Sequence, residues 1–348
     1  MTIVVKASSN TFLAITLTTA LAVALYVCPR RKRLTAQFTQ TRQMKFEQEL
    51  VDEEESPLLT NNSDYVDVNG HELRIIEIIN KNEKAPLMVF IHGLGGQASQ
   101  WEHQLEHFSK SYHVVAIDSV GCGYSEVVKE WSCYTTTSLA DDIIQLITSV
   151  RYPNTKPIIL VGHSYGCAIA TLVASSSDIK GRLAGMVLIS PKAELGQDQA
   201  KGQKILPWIP DFIIENARNK DRQGGLYSTS VERLLGNKAS ENLRKRQLRW
   251  NVMSRTDVYK RTAAGATFPS SDIYGKLASV KILFIGGEKD EITPPSDMTL
   301  IRKQILESTD DNSDNIKQPM IIPNVGHMSL VMKPDIVNKW IDDFLLDI

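Results

Sequence analysis

Cysteine is scarce in this chain, and the scarcity excludes a class of fold. Cys28, Cys122, Cys133 and Cys167 are the four cysteines in 348 residues, and no two of them form a C-x-x-C pair. They are too few and too scattered for a disulfide framework and read as free thiols in a reducing compartment. A surplus of either charge is also missing. The 39 Lys and Arg face 40 Asp and Glu, for a formal net charge of -1, so nothing electrostatic points to a nucleic-acid partner. No internal repeat recurs at the periods of solenoid proteins. The largest uninterrupted apolar run is confined to the N-terminus.

That run covers residues 11–27, is uncharged and rich in Leu, Ala, Val and Ile, and is extended by Cys28. Pro29, Arg30, Arg31, Lys32 and Arg33 follow at once. Its length is near the short end of the roughly 17–25 residues that cross a bilayer as a helix. Only Lys6 and the terminal amine precede it, against four cations after it. The positive-inside rule then puts the bulk of the chain in the cytosol. A cleaved signal peptide is the competing reading, but Tyr26, Val27 and Cys28 fit a small-residue cleavage site poorly, so a retained single-pass anchor in the endoplasmic reticulum or the mitochondrial outer membrane is expected. Cys28 at the membrane edge is a candidate for palmitoylation or an idle thiol. Residues 1–33 are thus read as anchor with basic flank and 34–63 as a polar linker, helical in its first half. The domain proper is expected over 64–348. Asn61 heads the lone glycosylation sequon, which carries no chemistry on the cytosolic side.

With 42% hydrophobic and 23% charged residues, the remainder has the make-up of a globular enzyme. Residues 64–68, an Asn69-Gly70 pair and the run from 72 to 79 read as a hairpin. Short apolar runs at 87–91, 113–117, 157–161, 183–189 and 280–285 then alternate with helical stretches, including 141–150 and the segment after residue 164. That alternation predicts a mostly parallel sheet covered by helices on both faces. Residues 192–270 break the rhythm. They are rich in helix formers and charges, with Trp208, Phe212, Trp250 and Tyr259 interspersed, and they predict a helical cap inserted above the sheet. Residues 310–315 (DDNSDN) read as a surface loop.

Chemistry concentrates in Gly162-His163-Ser164-Tyr165-Gly166, directly after the apolar run 157–161 and before a second one at 167–174. A serine between two glycines on a strand-to-helix turn fits a nucleophile elbow, where the turn is strained and the hydroxyl stays exposed. A serine needs a neutral imidazole to take its proton and a carboxylate to hold the imidazole. Of the seven histidines, His327 alone lies beyond His163, on a loop after the last expected strand at 320–323. For the acid, Glu288, Asp290 and Glu291 compete in the loop after 280–285. Asp290 is the choice because it sits just before an Ile-Thr-Pro-Pro turn, and Glu288 and Glu291 read as solvated charges. The oxyanion donors are expected to be the backbone N–H groups of Tyr165 and Leu94, the latter in the loop His92-Gly93-Leu94-Gly95-Gly96. His92 reads as a loop-packing residue.

In order, the 87–93 block (LMVFIHG), the 118–125 block (DSVGCGYS), the 162–166 block (GHSYG), the 286–290 block (GGEKD) and Gly326-His327 resemble the signature segments of the α/β-hydrolase superfamily. The resemblance runs from about residue 66 to the C-terminus, with the cap its least specific part. It implies an α/β-hydrolase fold and the chain order Ser164, Asp290, His327 for nucleophile, acid and base, and it gives Asp118 no catalytic role. Members with a His-Gly loop, a helical cap and an anchor suggest the abhydrolase-domain group of lipid and ester hydrolases. Dehalogenases and epoxide hydrolases of the superfamily carry aspartate at the elbow, and Ser164 argues against both. Met332 stands where a His-x4-Asp acyltransferase motif would place its acid, and Gly166-Cys167 departs from the Gly-Gly of many monoacylglycerol lipases. The expectation is a membrane-anchored serine hydrolase that cleaves an ester or thioester, lipid-like by its location, without metal or cofactor. The alternative is a non-catalytic scaffold that binds through its cap.

Overall fold

The computed structural model describes residues 42–152, 156–307 and 314–348. The apolar run at 11–27, its basic flank with Cys28, and residues 310–313 of the acidic loop lie outside the described residues. Among the described residues, no helix is long and apolar enough to cross a membrane.

One eight-stranded sheet organises the chain. Its strands are β1 (Ser63–Val68), β2 (His71–Ile78), β3 (Leu87–Ile91), β4 (His113–Ile117), β5 (Ile158–His163), β6 (Leu183–Ile189), β7 (Ile282–Gly287) and β8 (Met320–Ile322). The spatial order is β1-β2-β4-β3-β5-β6-β7-β8. The β1–β2 hairpin turns at Asn69 and Gly70, both at positive φ, as an Asn-Gly turn requires. β2 also pairs antiparallel with β4, and every pairing from β4 to β8 is parallel. Each residue of β3, β4, β5 and β7 is buried, the pattern of parallel strands covered on both faces. The pleat divides the core in two. Leu87, Val89 and Ile91 enter one apolar cluster, while Met88 and Phe90 enter the other, because alternate side chains leave a strand on opposite sides.

Helix α1 (Arg42–Asp52) precedes the sheet, and α2 (Glu102–Phe108), α3 (Thr136–Gln145) and α4 (Tyr165–Ala174) follow β3, β4 and β5. Helix α3 begins earlier than the expected 141, because the Thr135 side chain caps it by accepting from Ser138 N. The stretch to Val150 continues as a π turn. Between β6 and β7 rise the cap helices α5 (Gln197–Ile205), α6 (Asp211–Asp221), α7 (Thr229–Leu235), α8 (Glu241–Met253) and α9 (Thr256–Gly265). Helices α10 (Pro295–Leu306) and α11 (Pro334–Leu345) complete the layers.

The polar linker expected over 34–63 is corrected from Arg42 onward. Helix α1 packs on α8, Leu50 and Leu59 are buried in the core, and Glu55 forms a buried ion pair with Arg74. Polar composition hid this because only one face of the segment is apolar.

Candidate active site

Parallel strands place their connecting loops at one edge, and the sheet order reverses between β3 and β5. Such a switch point leaves a crevice between neighbouring loops. The loop after β3 and the turn after β5 meet there. Ser164 holds φ 54 and ψ -122, a sparsely populated conformation that costs of the order of 1–3 kcal/mol. It is half-buried, and its N–H donates to Ile189 O at 2.8 Å. The two glycines are required by crowding. A Cβ at Gly162 would lie 2.7 Å from Gly166 O, and one at Gly166 would strike the carbonyls of Ile91 and His92. A Cβ at Gly93 would meet Ser164 Cβ at 2.9 Å, so the β3 loop lies directly against the serine.

His327 reaches the same edge from the loop after β8. Its Nδ1 lies 2.9 Å from Asp290 Oδ2, and both side chains are buried. Burial by itself would raise the Asp290 pKa. Hydrogen bonding and charge from His327, with hydrogen bonds from Thr293, outweigh it and hold the carboxyl at about 2. An ionised carboxylate only accepts, so Nδ1 carries the proton and Nε2 presents its lone pair. That is the tautomer a general base needs. Ser164 Oγ and His327 form no hydrogen bond with each other, so the geometry links the acid to the base directly and brings the serine only to the same edge of the sheet.

Two supports of this pair were not anticipated. Thr293 Oγ1 donates to Asp290 Oδ2 at 2.8 Å, while Asp290 Oδ1 accepts from the N–H groups of Ile292 and Thr293. The signal in the sequence is an Asp followed three residues later by a Thr ahead of two prolines. His163, passed over as part of the elbow, donates from Nε2 to His327 O at 3.1 Å, and Ser190 Oγ lies 3.4 Å from the same carbonyl. Burial, aided by the neighbouring His327, pushes His163 down to about 3, so it is a neutral donor and not a second base. Glu288 accepts from Asn324 N at 2.9 Å and steadies the turn before His327. Glu291 is exposed.

Leu94 and Tyr165 line one recess together with Gly93, Cys122, Leu139, Ile169 and Thr262. A neighbouring recess is closed by Val258 and Tyr259 of α9. His92 donates from Nδ1 to Gly93 O and accepts from Ser119 N at Nε2, and burial lowers its pKa, so it joins loops. Asp118 is fully buried and structural. It accepts from Ala98 N at 2.6 Å and Tyr124 N at 3.1 Å, and pairs with Arg74.

The profile of the α/β hydrolase fold family matches residues 86–334. The chain belongs to the α/β-hydrolase fold family. This hydrolase is 26% identical over 280 residues to an abhydrolase domain-containing protein of Schizosaccharomyces pombe, covering 78% of this chain and 73% of that one. It is 25% identical over 285 residues to lipid droplet hydrolase 1 of Saccharomyces cerevisiae, covering 72% of this chain and 73% of that one. Among solved structures, a thermophilic esterase from Thermogutta terrifontis superposes with a TM-score of 0.64 at 21% identity, covering 82% of this chain and 98% of the esterase. The enzyme is therefore a hydrolase with an esterase- and lipase-like relationship, and its fold is that of those esterases.

Proposed function

We propose that this hydrolase cleaves a carboxylic ester or thioester of a lipid-like acyl group through an acyl-enzyme. Ser164 Oγ attacks the acyl carbon while its proton passes to His327 Nε2. The tetrahedral oxyanion is met by the N–H groups of Leu94 and Tyr165. The carbon–oxygen or carbon–sulfur bond to the leaving group breaks, and that group takes the proton from His327. Water then attacks the acyl-enzyme, giving its proton to His327; the bond from Ser164 Oγ to the acyl carbon breaks, Oγ takes that proton back, and the acid product leaves. The observation that carries this reading is the buried bond between an ionised Asp290 and His327 Nδ1, on the loop tied to the residue before a strained serine.

A lipid-like substrate is supported by the relative named as a lipid droplet hydrolase. Epoxide hydrolases are also among the relatives, with epoxide hydrolase 3 of Xenopus tropicalis 24% identical over 302 residues. Serine at position 164, where that branch of the resemblance has aspartate, argues against carrying epoxide opening over to this chain.

The reading is tested with a fluorophosphonate probe, which should label the full chain and leave Ser164→Ala unlabelled. Equal labelling of both would reject the assignment. The apolar run at 11–27 with its basic flank is proposed as a single-pass anchor that leaves the catalytic domain in the cytosol. Alkaline carbonate should leave the full chain in the membrane fraction, and glycan attached at Asn61 would reverse the orientation.

A further inference from the structure

The cap carries apolar side chains that no part of the described fold covers. Ile205 ends α5 and is 55% exposed, Trp208 in the next turn is 85% exposed, and Phe212 in the first turn of α6 is 73% exposed. Pro207 and Pro210 between them are exposed as well. All flank one helix, α9. Gln203 of α5 donates to Ala263 O at 3.0 Å, and Lys260 of α9 binds Asp211 at 2.9 Å. The same Lys260 lies over the ring of Trp131, itself 41% exposed. The patch is therefore a face rimmed by Trp131, Ile205, Trp208 and Phe212 with α9 behind it. Exposed aromatic and aliphatic side chains gathered around one helix in this way mark an interaction surface. Tryptophan prefers a boundary where its ring is in hydrocarbon and its N–H in water.

Two further observations select the occupant. The chain reaches the described fold on the cap. Gln43 of α1 donates to Arg222 O at 2.9 Å, and Arg222 also pairs with Glu47. Arg222 directly follows α6, whose opposite end bears Phe212. The apolar run at 11–27 thus precedes a segment seated at one end of a helix about 16 Å long, with the aromatic patch at its other end. The second observation concerns what α9 does on its inner side. Val258, Tyr259 and Thr262 of α9 line the recesses beside the β3 loop and Tyr165, so the patch lies on the outside of the wall that encloses the site. Among the charges beside it, Lys201 pairs with Asp198 and Lys260 with Asp211, and the exposed Lys204, Lys129 and Glu130 are of mixed sign. An apolar contact, and not an ionic one, is what this surface offers.

We propose that this face of the cap docks on a phospholipid surface, with Trp208 and Phe212 inserted at the level of the acyl-chain boundary. Docking there sets the site's covering helix against the source of a lipid substrate. It goes beyond ester cleavage, and its test does not read activity.

The full-length chain is mixed with phosphatidylcholine vesicles whose acyl chains are brominated, and tryptophan emission is followed. Emission of the wild type should be quenched, and Trp208→Phe should lose most of that quenching. Phe212→Asp should weaken quenching in the presence of an intact Trp208. Because both side chains are largely exposed, both variants keep the fold. Quenching identical in wild type and Trp208→Phe, with the chain still floating with the vesicles, would overturn the proposal while leaving the N-terminal run as an anchor. A Trp208 already shielded from acrylamide without lipid would assign the patch to another part of this chain. A lipid-free dimer that Trp208→Phe together with Phe212→Asp converts to monomer would assign it to a second copy. Either result overturns lipid docking.

Discussion

Ser164 keeps its strained conformation because its neighbours leave it no room to relax. Gly166 faces the carbonyls of Ile91 and His92 with no room for a methyl group. Gly166→Ala is therefore expected to open the junction between β3 and β5, lowering the thermal midpoint and activity together. In the proposed mechanism Asp290 acts through orientation, by its bond to His327 Nδ1. Asp290→Asn should leave the fold intact while His327 loses its tautomer control, and by the behaviour of comparable triads kcat falls about 10⁴-fold. Thr293→Val should cost less. The Asp290 carboxylate keeps its backbone donors but loses a hydroxyl at 2.8 Å, of the order of 1–3 kcal/mol for a buried charged acceptor. The expected reading is a lower kcat at little-changed KM, and an unaltered kcat would remove Thr293 from any positioning role.

At the scale of elements, the sheet is pinned at the edge opposite the site by Glu77 of β2. Its carboxylate binds His113 at 2.7 Å, Arg151 at 2.7 Å and Tyr152 at 2.9 Å. Burial would raise the Glu77 pKa, but these partners together lower it from the usual 4.5 to about 2. A depressed folded value stabilises the protein above the unfolded pKa and is lost as pH falls toward the folded one. Stability from this group should hold from neutrality to about pH 4.5 and decline toward pH 2. Urea midpoints across that range check it, and Glu77→Gln should be less stable near neutrality with a shallower acid decline. Asp290 adds to the same acid-side loss, its pKa being lowered to about 2. An acid fall in activity between pH 7 and 5 would then not be due to protonation of that carboxylate.

For the molecule as a whole, the segment before the sheet ties its parts together. Glu55 binds Arg74, Arg74 pairs with Asp118, and Asp118 holds Ala98 N next to the β3 loop. Arg249 of α8 donates to the carbonyl of Glu53, and Leu50 and Leu59 fill the core between cap and sheet. Removing residues 42–62 should therefore expose apolar surface and strand Arg74, which carries most of its burial with a charged partner gone. The expected result is a thermal midpoint several degrees below that of a chain starting at 42. Equal midpoints would show the segment to be dispensable.

Much of the fold was legible because it rests on local patterns. The strands at 87–91, 113–117 and 183–189 coincide with β3, β4 and β6, since a buried parallel strand must be apolar on both faces. The Asn-Gly turn and the glycines around Ser164 declare conformations that other residues resist. The contributions of Thr293 and His163 were not legible. A hydroxyl or an imidazole looks the same in sequence whether it meets solvent or a carboxylate, and only the folded chain brings Thr293 to Asp290 and His163 to the carbonyl of His327. Nor could the polar run from Arg42 reveal its docking, because its few buried side chains are diluted by exposed ones. Sequence alone set the order of strands along the chain and the candidate serine, acid and base, through short-range sterics and periodicity. Tertiary structure alone decided which distant side chains share a proton network and which apolar ones stay uncovered, because both depend on neighbours many residues away.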